Sequence, residues 1–171
     1  MAITFKYKKI ERKEEEGHDS VYVYTPSIPV TLVNGGEAID VVALIDSGAD
    51  HCIISKGLAE LLNLDLSKTP EDTKGIGGSV EAVSTVMNIV VQNSHERYPI
   101  RVPVFVMMQE DTDIPPILGR VGFFDEFEIR FKQKQLKVIL KKMFNSGTLV
   151  TPPSYASSIK ASTNIKTVQI E

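Results

Sequence analysis

Only one cysteine, Cys52, occurs in the 171 residues. A single thiol cannot close an internal disulfide, so packing alone must hold the fold, and nothing in the thiol content points to export. Long apolar runs are missing as well. None approaches the ~20 residues that a membrane-crossing helix needs. The stretch from Met1 to Lys9 alternates charged and apolar residues, without the apolar centre of a signal peptide. Nor is there an excess of one charge. The 19 Lys and Arg against 22 Asp and Glu leave a formal net charge of -3, too little to draw the whole molecule to nucleic acid or an anionic membrane. The cytoplasm is the expected compartment, with no membrane partner. What the chain does have, 42% hydrophobic and 24% charged residues, is ordinary for a globular domain that buries a core.

Helical spacing is scarce and strand patterning is common. Ile3, Phe5 and Tyr7 alternate with polar residues, as a half-buried strand requires. Val21 to Tyr24 and Ile28 to Val33 are β-rich, and Asn34-Gly35-Gly36 is a hairpin signal leading into Ile39 to Ile45. The run Val41-Val42-Ala43-Leu44-Ile45 is apolar throughout, which predicts a strand buried on both faces. Two more alternating stretches, Val83 to Val91 and Ile100 to Met108, predict strands joined through Asn93-Ser94. Phe127, Ile129, Phe131 and then Leu136, Val138, Leu140 predict a hairpin around Gln133-Lys134. Leu58, Leu61 and Leu62 fall at helical spacing after Ser55, a plausible N-cap, and a second short helix is allowed around Arg120 to Phe127. One domain is expected over residues 1–142, with its core at about 28–140. Residues 143–171, rich in Ser and Thr, are expected to be a C-terminal tail or arm.

The segment with chemical content is Ala43-Leu44-Ile45-Asp46-Ser47-Gly48-Ala49-Asp50. A carboxylate directly after an apolar strand is costly to bury unless hydrogen bonds offset it. The Ser and Gly that follow permit a tight turn in which a hydroxyl and backbone amides can hold it. Asp-Ser-Gly is also common wherever a strand simply ends in a turn, so this segment alone decides nothing. Downstream, Lys74-Gly75-Ile76-Gly77-Gly78-Ser79 forms a glycine-rich hairpin tip, and Pro116-Ile117-Leu118-Gly119-Arg120 follows.

In that order and at that spacing, from about Ile28 to Leu140, these segments resemble the retroviral pepsins and their cellular and prokaryotic relatives. The resemblance implies a mainly β fold, a single retropepsin-like acid-protease lobe of folded, barrel-like sheets with one or two short helices. The second lobe would come from a homodimer partner, and the activity would be aspartic endopeptidase without a cofactor or metal. Asp46 would be the catalytic carboxylate, Ser47 would bond across the dimer, and Gly48, Ala49 and Asp50 would meet substrate backbone. Gly75, Ile76, Gly77 and Gly78 would be the mobile flap. Ile117 would line a pocket, Gly119 would cross the catalytic strand, and Arg120 would pair with Asp50. A peptide or protein is the implied substrate. The ends of the chain extend beyond the minimal viral pattern, so the resemblance leaves the dimer contacts unassigned. An alternative with the same motifs is a protease-fold dimer that binds peptides or assembles partners with little or no catalysis. A third is a fragment processed from a mobile-element polyprotein; no zinc knuckle or polymerase segment stands beside the motifs to favour it.

Other chemistries find weaker support. His51 and Cys52 are adjacent, but neighbours on a strand face opposite ways, and His18 and His95 sit in expected loops. Gly75 to Gly78 lacks the Gly-Lys-Ser/Thr ending of a phosphate loop. Asn145-Ser146-Gly147-Thr148 has no apolar strand before it and too little chain after it for a second Asp-Ser-Gly-like lobe. Residues 130–142 hold six basic residues and no acid, but they alternate with apolar ones, so a solvated hairpin face is expected rather than a nucleic-acid surface.

Overall fold

The computed structural model describes residues 2–12, 21–75, 78–109 and 114–143. Seven strands make the main sheet: β4 (Ser27–Asn34), β5 (Glu37–Ile45), β6 (Cys52–Ser55), β7 (Glu71–Gly75), β8 (Gly78–Gln92), β9 (Arg97–Met107) and β10 (Ile117–Leu118). Their order is β4-β5-β10-β6-β9-β8-β7, and β8 also pairs with β4 through Thr31 to Val33 and Asn88 to Val90. The sheet therefore closes on itself into a barrel, with β7 added on the outer edge of β8. This is the barrel-like lobe expected from the resemblance.

Strand alternation fills the barrel. Ile28, Val30 and Leu32 of β4, Met87, Ile89 and Val91 of β8, and Ile100, Val102, Val104 and Val106 of β9 are buried, with polar or more exposed residues between them except at Val90, which is buried as well. The turn between β4 and β5 is two residues long, since Asn34 pairs with Glu37. Gly35 has φ of +56°, a left-handed conformation that glycine adopts without strain. The β8–β9 hairpin and the hairpin of Phe127–Lys132 with Lys137–Lys142 fall where expected, around Asn93-Ser94 and Gln133-Lys134.

A second sheet of three strands, order β1-β12-β11, joins β1 (Ala2–Lys6) to the hairpin of β11 (Phe127–Lys132) and β12 (Lys137–Lys142). Its inner face carries Ile3, Val138 and Leu140, all fully buried, so the core extends beyond residues 28–140 to the N-terminal strand. β2 (Lys8–Arg12) and β3 (Val21–Thr25) form a separate two-stranded ribbon.

Three local expectations change. β5 is not buried on both faces: Ala43 and Ile45 point inward, whereas Val42 is 40% exposed, because no second layer of the described residues covers the outer face there. The helix α1 (Lys56–Leu61), N-capped by Ser55, turns Leu58, Ala59 and Leu62 toward the core but leaves Leu61 65% exposed. At 100° per residue the arc through 58, 62 and 59 excludes position 61. Over Arg120–Phe124 there is a single π-type turn rather than a regular helix. Val121 and Gly122 have non-helical angles, and a side chain on Gly122 (φ +88°) would come within 2.8 Å of Pro103. The expectations for 143–171 lie outside the described residues apart from Met143, whose N–H donates to the carbonyl of Glu126 at 2.9 Å.

Candidate active site

Asp46 stands at the end of β5, where the strand is gripped from both sides. Leu44 N–H donates to the carbonyl of Pro116 (2.8 Å), Ile45 N–H to that of Pro26 (3.1 Å), and Asp46 N–H to that of Leu118 (3.1 Å). β10 is only two residues long, yet it lies parallel to β5 and antiparallel to β6, with Ile117 opposite both Leu44 and Ile53. Its short insertion brings the Ile117-Leu118-Gly119-Arg120 segment to the Asp46 turn.

The turn itself is as the residue types require. Gly48 N–H donates to Oδ1 of Asp46 at 2.8 Å, and Ala49 N–H to the Asp46 carbonyl at 3.3 Å. A Cβ on Gly48 would lie 3.2 Å from that same Oδ1, so the glycine allows the backbone to approach its own carboxylate closely. Asp46 is half-buried, while Ser47 and Gly48 are exposed. Ser47 has no side-chain hydrogen bond to any described residue.

Beyond the turn, the two segments zip together. Arg120 N–H donates to the Ala49 carbonyl (2.9 Å) and Val121 N–H to that of Asp50 (2.7 Å). The guanidinium of Arg120 pairs with the Asp50 carboxylate on the surface. Gly119 lies so close to the backbone of His51 that any Cβ there would overlap the His51 carbonyl.

Of the expected site residues, Asp46 to Asp50 and Ile117 to Arg120 are thus brought together. Gly75 and Gly78 face each other at the end of the β7–β8 hairpin, and Gly78 has φ of +121°. Ile76 and Gly77, the expected flap tip, lie outside the described residues.

Several contributors had no signal in the sequence. The carbonyls of Pro26, Pro116 and Leu118 hold the end of β5, but a carbonyl is common to every residue, so only position reveals its use. His51 is half-buried, its ring 4.6 Å from that of Phe105 in an edge-on contact, and its Nδ1 is buried with no partner among the described residues. Burial lowers the pKa of this imidazole, and the neighbouring Asp50 charge offsets part of that shift. Cys52 is fully buried. Burial pushes its thiol up to about 11, with a hydrogen bond from the Gly119 backbone acting the other way. A thiol with that pKa is a packed core group rather than a nucleophile. No group of three His, Cys, Asp or Glu side chains able to hold a metal occurs among the described residues.

Comparison with known proteins bears on the family and the fold. Residues 28–120 match the family described as aspartyl protease. No curated protein matches. Among solved structures, a retropepsin-like aspartic protease from Rickettsia conorii is similar at 18% identity, over 82% of this chain and 90% of that one, with a TM-score of 0.51. The retroviral protease-like domain of Ddi1 from Leishmania major aligns at 16% identity over 72% of this chain and 98% of its own, with a TM-score of 0.44. The EIAV protease in complex with an inhibitor aligns at 23% identity over 56% and 82%, with a TM-score of 0.38. At such identities the likeness is one of fold, and the rickettsial structure carries it. Since the matched residues span more than half of the sequence and include the Asp46 turn and the Ile117–Arg120 segment, the chain belongs to the aspartyl protease family and has the retropepsin-like fold.

Proposed function

We propose that this protein is an aspartic endopeptidase that works as a homodimer, with the Asp46 carboxylates of two copies sharing one site. The observation that supports this most directly is the Asp46 turn: a carboxylate directly after the buried Ile45 at the end of β5, held by Gly48 N–H at 2.8 Å and open on the side of Ser47 and Gly48. The sequence holds one Asp-Ser-Gly, and in this reading the second carboxylate comes from another copy, placing the site on a twofold axis. Two carboxylates about 3 Å apart cannot both ionise and share one proton. One then takes a proton from a water that attacks the peptide carbonyl, and the other donates its proton to the developing oxyanion. Collapse of the tetrahedral intermediate breaks the C–N bond as the amine leaves with a proton.

In this reading Ser47 braces the paired carboxylates across the axis, Gly48, Ala49 and Asp50 meet the substrate backbone, and Gly75 to Gly78 close over it. Ile117 lines an apolar pocket. Gly119 and Arg120 position the loop, the latter by pairing with Asp50. The reading also places the protein in the cytoplasm, where a reducing milieu suits its single buried thiol.

The test is Asp46→Asn, which is nearly isosteric but cannot act as the base. On a diverse peptide library at pH 4–7, with and without pepstatin, the wild type should cleave and the variant should lose on the order of 1,000-fold in turnover. Both should sediment as dimers, and wild-type activity per subunit should fall on dilution at the midpoint where the dimer dissociates. Undiminished cleavage by D46N, or a fully active monomer, would refute the shared-site mechanism. An inert wild-type dimer that still binds peptides would favour the binding-module alternative.

A further inference from the structure

The three-stranded sheet β1-β12-β11 has one face in the core and one in solvent. Pairing registers arrange the outer face in three rows that run across the strands. The first is Lys6, Lys137 and Lys132; the second Thr4, Ile139 and Arg130; the third Ala2, Lys141 and Glu128. Five of these nine positions are basic and one is acidic, in a chain whose net charge is -3. All the basic ones are exposed. The single acid is already engaged: Glu128 meets Arg130 at 2.6 Å and Lys141 at 3.6 Å, and these partners hold its carboxyl below the usual range. The Lys6-Lys137-Lys132 row has no such partner among the described residues, and Lys134 in the adjoining turn adds a further exposed cation. Directly opposed side chains have Cβ atoms about 5 Å apart, where like charges destabilise a sheet. Lys137 has a lysine on both sides. Such a row repels itself across the sheet, and the face makes physical sense with an anion upon it.

We propose that this face is a docking surface for single-stranded nucleic acid, engaged through its phosphates. The line of ammonium groups suits a backbone that is itself a line of anions. No large apolar side chain is exposed on this face, as adsorption to a membrane interface would require. Aromatic rings lie close along the chain. Lys9 lies three residues on from Lys6, at most about 11 Å away; its ammonium sits 3.6 Å from the Tyr22 ring centroid and its strand partner is Tyr24. Tyr22 and Tyr24 are 53% and 45% exposed. Exposed rings of this kind stack bases, whereas an acidic peptide would make no use of them. Residues 130–142 alone suggested a solvated face; β1 adds Lys6 and completes the row.

The full chain, labelled oligothymidine and fluorescence anisotropy test this. Three phosphate contacts to a single strand predict a log–log salt slope of about -2, a roughly twentyfold loss of affinity between 50 and 200 mM salt. Lys6→Gln/Lys132→Gln/Lys137→Gln should weaken binding at least tenfold at 50 mM and flatten the slope, and Tyr22→Ser/Tyr24→Ser should weaken it with the slope unchanged. Lys137→Gln alone should melt no lower than the parent, because it relieves repulsion, while binding less tightly. The proposal is overturned by absent binding at 50 mM salt, by an unaffected triple variant, or by a Lys137→Gln protein that melts lower. It also falls if polyglutamate of equal charge or phosphatidylserine vesicles bind as tightly as the oligonucleotide.

Discussion

Glycine serves opposite purposes in the two parts of the candidate site. Gly119 is needed because there is no room: the Asp46 loop and the 119–121 segment are zipped by Asp46 N–H to Leu118, Arg120 N–H to Ala49 and Val121 N–H to Asp50, and a Cβ would overlap the His51 carbonyl. Gly78 is needed for conformation, since it has φ of +121° with nothing within 4 Å of where a Cβ would stand. The Asp46 side is built by hydrogen bonds between residues about 70 apart in sequence. By contrast, among the described residues β7 is an edge strand paired with β8 alone, so the Gly75–Gly78 end of that hairpin has no other strand beside it. Under the proposed function, a catalytic carboxylate would benefit from fixed geometry and a covering loop from a low barrier to movement, and glycine would serve each for a different reason.

The comparison can be broken most severely at Gly119. Gly119→Ala should cost about 3 kcal/mol or more, because backbone rather than a flexible side chain must move. Thermal melting should show this, and cleavage should fall with the fold. A near-normal melt would mean that the close approach of Gly119 to His51 is not essential.

Gly78→Val should separate function from stability. An L-residue at φ +121° is strained by about 1–2 kcal/mol, which leaves a stable domain folded well below its melting temperature. Cleavage should nevertheless drop at least tenfold if the hairpin must close on substrate. Matching losses in both would make the hairpin purely structural.

The smallest effect sharpens the Asp46 side. The imidazole of His51 has a lowered pKa in the folded protein, so at mildly acidic pH the unfolded chain binds the extra proton more readily. Its contribution is therefore fully present above the ordinary value of 6.5 and is lost as pH falls through the lower folded value. Melting curves from pH 4 to 8 should slope less for His51→Gln than for the wild type in that window. An identical slope would show that burial of this ring is not linked to proton uptake.

Much of this could be read from residue patterns. The strands at Ile28 to Val33 and Ile100 to Met108 follow from alternation, and the Gly35-Gly36 turn from its glycines, because side-chain period and φ preference are local properties. The Asp46 turn was legible for the same reason: an apolar strand, a carboxylate and a glycine that lets an amide reach back to it. Leu61 and Val42 were misread because apolar character does not say which arc or face finds a neighbour. The short β10 was not legible as a strand, since two residues carry no period.

The sequence by itself determined which residues could form strands, where the chain had to turn and which carboxylate stands at a strand end. Tertiary structure decided which strands became neighbours. It placed Ile117 between Leu44 and Ile53, set the carbonyls of Pro26 and Leu118 against the end of β5, and aligned Lys6 with Lys137 and Lys132 across three strands. The first set depends on sterics and periodicity within a few residues, whereas the second depends on the register of segments up to about 130 residues apart. No local preference carries that register; closure of the barrel and burial of Ile3, Val138 and Leu140 impose it.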